Sequence, residues 1–513
     1  ASDPFMHGVA SGDPLADRVL LWTRVTPPRD VVTIPVIWFV STATTMRPVV
    51  RSGLMVTGPA HDYTVKVDVT GLQPGTTYYY QFFALNTGSP VGRTRTLPVG
   101  EIDRLRVAVV SCANYPYGYF NVYGNVARRY DLDVVLHLGD YLYEYANGEY
   151  GDGTAIGRVP QPDKELVSLE DYRTRHAQYK TDPQLQEAHR QHPFITIWDD
   201  HEFANDAWFG GAEVHDARRG DGPWVSRRTA AAQAYFEWLP IREPAGVRTQ
   251  IYRHFAFGQL MDLIMLDTRI AGRDEQATDP IDDPTLRDPG RQLLGGGQES
   301  WLLNQLDESA QRGTVWRLLG QQVMLGQLKI PPGEPITIVV DQRSAVPGNV
   351  DQWDGYAASR LVVLDHIEQQ GIDNVVVLTG DIHSSWGQEI SKNPYLPAIY
   401  DPETSEGSLA VEFVTPGVTS PALEDPEVAK LSEEGLYATQ PHLRYVELLH
   451  RGYLLLDITV ERVQAEWYYT PSVYQRSTQE LFGRALQTPS RSNRIVDAER
   501  QVSPKSVSPL PAP

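Results

Sequence analysis

The hydrophobic pattern divides the chain into two parts. As far as about residue 98, short runs that alternate apolar and polar positions are separated by Gly and Pro clusters, which is typical of antiparallel strands. These runs are rich in β-branched and aromatic residues and predict strands at 18–25, 34–40, 63–69 and 76–83. We therefore predict an all-β N-terminal part, residues 1–98.

From about residue 103 the pattern changes to short apolar runs that alternate with helical stretches, as in α/β domains. The apolar runs predict strands at 105–111, 133–138, 194–198, 260–267, 315–319 and 374–379. The helical stretches are 226–238, 298–310 and 357–369. Alternation returns at 443–469, and we expect these strands to complete a second sheet. This second part spans residues 103–470.

Three segments show neither the alternation of strands nor the periodicity of helices. Residues 271–297 and 329–355 are rich in Gly, Pro and Asp, and we interpret them as long loops, which often have a function in compact domains. The tail, 471–513, is rich in Ser, Arg, Pro and Gln. We expect it to be disordered or to lie over the core, where it could cover an active site.

Composition limits the partners. The chain has 513 residues, more than the roughly 250–300 at which a single core usually stops growing. Its 45 basic and 65 acidic residues give a formal charge of −20, which argues against a nucleic-acid partner and against unaided binding to an anionic membrane. No apolar run approaches the roughly 20 residues of a membrane span. We expect a monomer with at most peripheral membrane contact.

Localisation is predicted only from how the chain starts and from its cysteine count. The chain begins at Ala1, as cleavage of a signal peptide would leave it, and we expect a secreted protein, although deliberate trimming would give the same start. The single cysteine excludes a scaffold built on disulfides but does not decide the compartment.

Residues that can bind metals follow four of the apolar runs. In α/β sheets, binding sites form beyond the carboxyl ends of the strands. A thiolate, carboxylates and imidazoles are all metal ligands. They occur here as Cys112, as Asp140 with Tyr143 in GDYLY, as Asp199 to Glu202 in DDHE, and as Asp381 with His383 in GDIH. The pattern indicates a metal-dependent hydrolase.

Each motif also has a simpler interpretation. Cys112 alone is more often a small buried apolar residue, and a cysteine nucleophile is the rival functional interpretation. DDHE could be a charged surface turn, Asp140 an exposed carboxylate and GDIH a hydrogen-bonded turn. Burying several acids without a cation is costly, which favours the metal site. Which of Asp199, Asn205 and Asp206 join it stays open.

Ordered motifs along nearly the whole chain carry a resemblance to a known family. They include FMHGVASGDP at 5–14, VVSCAN at 109–114, WDDHEFANDAW at 198–208 and LTGDIHSSW at 378–386. The chain resembles the alkaline phosphatase D family of calcineurin-like metallophosphoesterases, which is akin to the purple acid phosphatases. Secreted iron- and calcium-dependent bacterial phospholipases D look like members of the same group. The resemblance implies a four-layer α/β sandwich behind a β-sandwich of the fibronectin III or immunoglobulin type, consistent with VTGLQPGTTYYY at 69–80.

The resemblance also implies a set of metal ligands. By motif, Cys112, Asp140, Tyr143 and His383 would hold Fe(III). Purple acid phosphatases have Asn where this chain has Asp200 and His where it has Asp381. Because both differences introduce carboxylates, and hard oxygen ligands suit Ca²⁺, we expect Fe(III) with one or two Ca²⁺, bridged by Asp140.

The expected activity is that of a secreted phosphodiesterase acting on phospholipid, lysophospholipid or glycerophosphodiester head groups. A metal-bound hydroxide would attack phosphorus in line. His201 would protonate the leaving alkoxide or hold a phosphoryl oxygen, and Asn114 and Arg158 would contact substrate. An alkaline phosphomonoesterase and a teichoic-acid phosphodiesterase are the alternatives, and a non-catalytic secreted binding protein is the alternative of another class.

Overall fold

A computed structural model describes residues 3–246, 249–330 and 346–513. Its strands are β1 (Val9–Gly12), β2 (Arg18–Arg24), β3 (Ile34–Ser41), β4 (Val49–Thr57), β5 (Thr64–Thr70), β6 (Thr77–Ala84), β7 (Thr87–Gly88), β8 (Gly92–Arg95), β9 (Leu105–Val110), β10 (Val134–His137), β11 (Pro193–Thr196), β12 (Arg253–Phe257), β13 (Met261–Met265), β14 (Trp316–Gly320), β15 (Lys329–Ile330), β16 (Val346–Pro347), β17 (Val375–Thr379), β18 (Ser385–Ile390), β19 (Ala410–Val414), β20 (Leu443–Glu447), β21 (Gly452–Ile458), β22 (Arg462–Tyr469), β23 (Leu481–Pro489) and β24 (Val496–Asp497). Its α-helices are α1 (Asn121–Ala127), α2 (Leu169–Tyr179), α3 (Pro183–Gln191), α4 (Trp224–Trp238), α5 (Gly296–Gln311), α6 (Ala357–Gln370) and α7 (Pro426–Thr439).

The first sheet has ten strands in the order β24-β23-β22-β21-β9-β10-β11-β1-β2-β5. Its centre, β9 to β11, is parallel and buried along its whole length, which explains the continuous apolar runs in the sequence. The N-terminal strand β1 pairs in parallel with β11, with Ser11 opposite Pro193. The all-β and α/β parts of the chain therefore share one sheet.

The N-terminal region is rich in strands, as predicted. Besides β1, β2 and β5, it contains a sheet in the order β4-β3-β6-β7, with β8 paired to β6. One apolar cluster joins Val36 and Phe82 of this sheet to Leu21 and Val67 of the first sheet. The local pattern predicted β2, β3, β5 and β6 but not β1, and it could not show that β1, β2 and β5 extend the large sheet.

The second sheet runs β12-β13-β14-β17-β19-β18-β20, with a parallel centre from β13 to β19. A core cluster contains Val109 and Leu136 of the first sheet together with Leu318 and Phe413 of the second. Another cluster packs α5 and α6 against the second sheet. The prediction found α4, α5 and α6 but missed the other four helices. Only β20 of the predicted strands at 443–469 joins this sheet, since β21 and β22 pair into the first one.

The two sheets meet closely at the carboxyl ends of their central strands. Ser111, which follows β9, forms a parallel bridge with Gly417, which follows β19. A Cβ on Gly380 would lie 2.9 Å from the Ser111 Cβ, so this approach requires glycine. Both sheets therefore direct their strand-end loops to one place.

Of the two alternatives predicted for the C-terminal segment, disorder is wrong for the stretch that forms β23. This strand pairs with β22, because the outer edge of β22 leaves backbone groups that need partners. Lys505 Nζ lies 2.6 Å from Asp133 Oδ2, and Gln191 exchanges hydrogen bonds with Ala512. Asp133 precedes β10 and Gln191 precedes β11, so the last residues lie at the amino ends of these strands, away from the carboxyl ends.

Within the described ranges, no helix combines the length and the apolar character needed to cross a bilayer.

Candidate metal and catalytic centre

Four of the predicted ligands converge at the carboxyl edge of the sheets. The Cys112 Sγ atom lies 3.4 Å from Asp140 Oδ2, and Tyr143 Oη lies 3.4 Å from the same oxygen. Tyr143 Oη is also 3.2 Å from His383 Nε2. The candidate ligand atoms of Cys112, Asp140 and His383 all lie within 4.8 Å of one another. We call this group the mixed donor set.

The backbone at these positions is strained. Cys112, Asp140, Asp381 and His383 have φ angles of 60°, 52°, 61° and 54°, a region that residues with a Cβ rarely adopt. Each such residue costs roughly 1–3 kcal/mol, and such residues cluster at functional sites. Cross-bonds hold the strain, since Cys112 N donates to Gly139 O at 3.1 Å and Ala113 N to Asp140 O at 2.9 Å.

His383 is set up as a neutral ligand. Its Nδ1 lies 2.7 Å from Pro421 O, and because a carbonyl only accepts, Nδ1 carries the hydrogen and Nε2 presents its lone pair. Burial lowers the pKa of His383 to about 4, so the ring is uncharged at neutral pH. This hydrogen bond orients Nε2 toward the mixed donor set.

A second group consists of carboxylates alone. Candidate oxygens of Asp140, Asp199, Asp200 and Asp381 lie within 4.8 Å of one another, and we call this group the carboxylate set. Within the part of the chain that the structure describes, the buried atoms Asp199 Oδ2 and Asp200 Oδ1 have no hydrogen-bond partner. Asp140 belongs to both sets, so the two candidate metal positions share one carboxylate.

A buried arginine, missed by the sequence analysis, faces the carboxylate set. The Arg269 guanidinium lies 2.6 Å from Asp199, 3.3 Å from Asp381 and 2.8 Å from Asp351. Arg269 follows β13, and Asp351 lies in the segment predicted as the loop 329–355, of which residues 331–345 are outside the described ranges. The only sequence signal for Arg269 was a charge at a strand end, and for Asp351 it was the motif DQWDGYAASR at 351–360, which is among those that carry the family resemblance.

The charges of this region do not balance. Asp140, Asp199, Asp200, Asp351 and Asp381 bring five carboxylates, whereas the guanidiniums that contact them belong to Arg269 and Arg273. Burial raises the pKa of Asp140 and Asp199 well above the ordinary range, and it raises the pKa of Asp381 to about 6. A buried excess of negative charge is costly, and a bound cation would compensate it. The residues present therefore fit a metal site.

His201 lies beside both sets and is oriented by a residue that the sequence analysis did not identify. His201 Nδ1 is 2.8 Å from Glu144 Oε2, while Glu144 Oε1 accepts from Asn205 N at 2.6 Å. Burial lowers the pKa of His201, but the carboxylates of Asp200, Glu144 and Asp140 outweigh it and raise that pKa well above its usual value. Among the described residues, none hydrogen-bonds His201 Nε2, which is left for a reacting group.

Glu202, the last acid of DDHE, has a structural role. Glu202 accepts hydrogen bonds from the backbone nitrogens of Asp140, Tyr141 and Asp199, at 3.1, 2.8 and 2.9 Å. It thus ties the loop after β10 to the loop after β11 and fixes the spacing of the carboxylates.

The remaining predicted residues lie less centrally. Asn114 Nδ2 donates to Tyr150 O at 2.7 Å, at the edge of the cluster. Arg158 is not brought into the cluster: its Nη1 pairs with Asp182 Oδ2 at 2.8 Å and its guanidinium lies 3.7 Å from the Tyr115 ring centroid. Asp182 caps α3 and is buried, so it needs this cation. These partners engage Arg158 outside the cluster, and its substrate contact stays a prediction.

The weaker candidates of the DDHE region divide similarly. Asp206 lies next to the carboxylate set, with its N donating to Asp200 Oδ2 at 2.7 Å, and burial raises its pKa to about 7. The Asn205 side chain instead donates to Glu213, away from the cluster.

Two α/β sheets that direct a shared carboxylate, a thiol, a phenol, an imidazole and further carboxylates to one edge define a metal-dependent phosphoesterase. Residues 107–467 match the family model of the PhoD-like phosphatase, and residues 1–98 match that of the PhoD-like phosphatase, N-terminal domain. The chain belongs to the PhoD-like phosphatase family and is a hydrolase of phosphoric esters, which confirms the resemblance seen in the motifs.

Relatives along nearly the whole chain support this assignment. The chain is 36% identical over 490 residues to alkaline phosphatase D of Bacillus subtilis (strain 168), covering 92% of this chain and 79% of that protein. A solved structure described as "Structure of PhoD" superposes with a TM-score of 0.86 at 33% identity and covers 99% of this chain and 94% of that one.

Proposed function

We propose that this chain is a secreted phosphodiesterase that acts on phospholipid, lysophospholipid or glycerophosphodiester head groups. Fe(III) would be held by the mixed donor set, and one or two Ca²⁺ by the carboxylate set. The observation that carries the proposal is that two donor sets of different chemistry share Asp140. Such a pair of sites can engage two oxygens of one phosphoryl group.

The donor chemistry supports a different ion in each set. Sulfur, phenol and imidazole donors in the mixed set suit a transition metal, whereas the carboxylate set offers only hard oxygens, which suit Ca²⁺. The unpartnered oxygens of Asp199 and Asp200 lie in the second set. When bound, the ions would neutralise phosphoryl oxygens and lower the pKa of water in the site.

The protein's own residues then have distinct tasks. Glu144 holds Nδ1 of His201, so that Nε2 can give its proton to the leaving oxygen. Arg269 stays bonded to Asp199, Asp351 and Asp381 and keeps these carboxylates in place. Glu202 fixes the two loops that carry Asp140 and Asp199.

A phosphomonoesterase is the second candidate, because the Bacillus subtilis relative is named an alkaline phosphatase. The arrangement of His201 serves either candidate, since an alkoxide needs the proton that Nε2 can supply whether it leaves from a monoester or from a diester.

The test is a comparison of substrates on the same purified protein. We expect a higher kcat/KM for choline release from lysophosphatidylcholine, or glycerol release from a glycerophosphodiester, than for phosphate release from a monoester. Asp140→Asn is the inactive control, because it weakens both donor sets. A preference for the monoester at equal metal loading would contradict the proposal in favour of the second candidate.

A further inference from the structure

Tyr150 lies beside the candidate centre. It lies on the loop between β10 and α2 and is partly buried. Its ring centroid is 5.7 Å from that of Tyr143, 6.0 Å from His201 in a stacked arrangement, and 6.3 Å from His383. The same side chain therefore contacts members of the mixed donor set and the candidate proton donor.

The Tyr150 hydroxyl is available as a hydrogen-bond donor. In the described ranges, no hydrogen bond engages Tyr150 Oη. The ring that carries it lies beside Tyr143, His201 and His383. A phenol keeps its proton at neutral pH and can donate it in a hydrogen bond.

The backbone of Tyr150 is anchored. Asn114 Nδ2 donates to Tyr150 O at 2.7 Å, and Gly148 N donates to Gly151 O at 2.8 Å, which closes the turn around it. Gly151 has a φ of 154°, and a Cβ there would lie 3.2 Å from Tyr117 N. The hydroxyl is thus held over the centre by contacts on both sides of the residue.

Two other donors of the centre already have partners or a proposed role. The Arg269 guanidinium is bonded to carboxylates, and His201 Nε2 is assigned to the leaving oxygen. Tyr145 is tilted against Tyr150, 5.3 Å between centroids, and its ring lies 5.4 Å from that of His201. Among the described residues, however, Tyr150 alone of the two also has its ring beside those of Tyr143 and His383. Tyr150 is the better placed of the two phenols.

We propose that Tyr150 is a catalytic residue whose Oη donates a hydrogen bond to a non-bridging phosphoryl oxygen of the substrate, with Asn114 as its positioning residue. The inference rests on the proposed function, because it needs a phosphoester in this site. The hydrogen bond would be assisted by the charge of the acceptor, which makes it stronger than one between neutral groups.

The test uses Tyr150→Phe, which keeps the ring and removes the donor. We expect kcat/KM on the diester to fall by about 10-fold to 100-fold, the range for a hydrogen bond to a charged group. The affinity for orthovanadate, measured by calorimetry on metal-loaded protein, should fall by at least about 10-fold. The matched control is Tyr119→Phe, since it also removes a phenol hydroxyl, one that donates to Ile156 O at 3.3 Å. It should change neither quantity by more than about twofold.

A double-mutant cycle tests the role of Asn114. If Asn114 acts through Tyr150, then Asn114→Ala weakens vanadate binding in the wild-type background but has little further effect when combined with Tyr150→Phe. Additive losses would overturn the positioning role.

Three results would overturn the role of Tyr150. The first is a Tyr150→Phe variant whose kcat/KM and vanadate affinity both stay within about twofold of wild type. The second is a Tyr119→Phe variant that loses as much of these two quantities as Tyr150→Phe does. The third is loss of bound metal from Tyr150→Phe. Failure of the proposed function would look different. A protein that hydrolyses only monoesters would refute the diesterase, while the vanadate comparison would still decide whether Tyr150 binds the oxyanion.

Discussion

The leaving group decides how much His201 contributes to the reaction. His201 Nδ1 is held by Glu144 at 2.8 Å, its ring lies 4.3 Å from that of Tyr143, and one of its ring nitrogens lies within 4.8 Å of carboxylate oxygens of Asp140 and Asp200. The His201→Ala substitution removes the proton donor and leaves the donor atoms of both metal sets in place. The size of its effect therefore reports on proton transfer.

The expected magnitude follows from the chemistry of the two oxygens. General acid catalysis is worth about 10²–10⁴-fold where the leaving group needs a proton. A choline or glycerol alkoxide needs one, whereas a nitrophenolate leaves without much help. We expect His201→Ala to lose about 10²–10⁴-fold in kcat/KM on an alkyl phosphodiester and less than about 10-fold on bis(p-nitrophenyl) phosphate.

The assay measures kcat/KM on both substrates and the metal content of each preparation. His366→Ala is the matched control, because His366, on α6, forms a similar pair with Asp307, on α5, at 2.8 Å and outside the centre. It should leave both rates unchanged. Equal losses on the two substrates in His201→Ala would refute the proton-donor role in favour of phosphoryl binding, and lost iron would make His201 a metal ligand.

Three further predictions concern the two candidate metals and the buried His442. Tyr143→Phe should remove or shift a visible charge-transfer band, measured by absorption spectroscopy; an unchanged band means that Tyr143 does not bind the iron. Asp200→Asn and Asp381→Asn should weaken the calcium dependence of turnover or abolish turnover, because each removes an anionic ligand, and full activity of either variant in excess chelator would contradict the calcium site. Burial lowers the pKa of His442 from 6.5 to about 3, so the folded state lacks a proton that the unfolded state holds between these values, and stability falls as pH falls. Urea unfolding should therefore show that lowering the pH from 6.5 to about 5 costs His442→Gln less unfolding free energy than it costs wild type, by up to about 2 kcal/mol. An equal loss in the two proteins would contradict the lowered pKa of His442.

Much of the centre is predictable because the carboxyl ends of parallel strands meet at one edge. Cys112, Asp140, Asp200 and Asp381 each follow an apolar run, and the structure brings all four together. The rule of strand ends thus brought the candidate ligands together without any knowledge of strand order.

The residues that orient the ligands are harder to predict. Arg269 and Asp351 meet across 82 positions of sequence, and nothing local to either one specifies the other. Arg158 was predicted to contact substrate, and the sequence did not show that the capping carboxylate of Asp182 binds it. Long-range pairing of this kind depends on the whole fold.

The same limit applies to the sheets. The pairing of Ser11 with Pro193 joins segments that are far apart in the chain, and strand β23 forms because β22 offers an open edge. Alternation reveals a strand, whereas its neighbours are decided by packing and by the free edges that the rest of the fold leaves.

Anomalous scattering from a crystal of the purified protein tests the central claim most directly. Data collected on both sides of the iron absorption edge should give an anomalous peak among Cys112 Sγ, Tyr143 Oη, His383 Nε2 and an oxygen of Asp140, with a calcium site beside Asp200 and Asp381. An active protein whose crystals show no iron peak there, or zinc at both positions, would contradict the account.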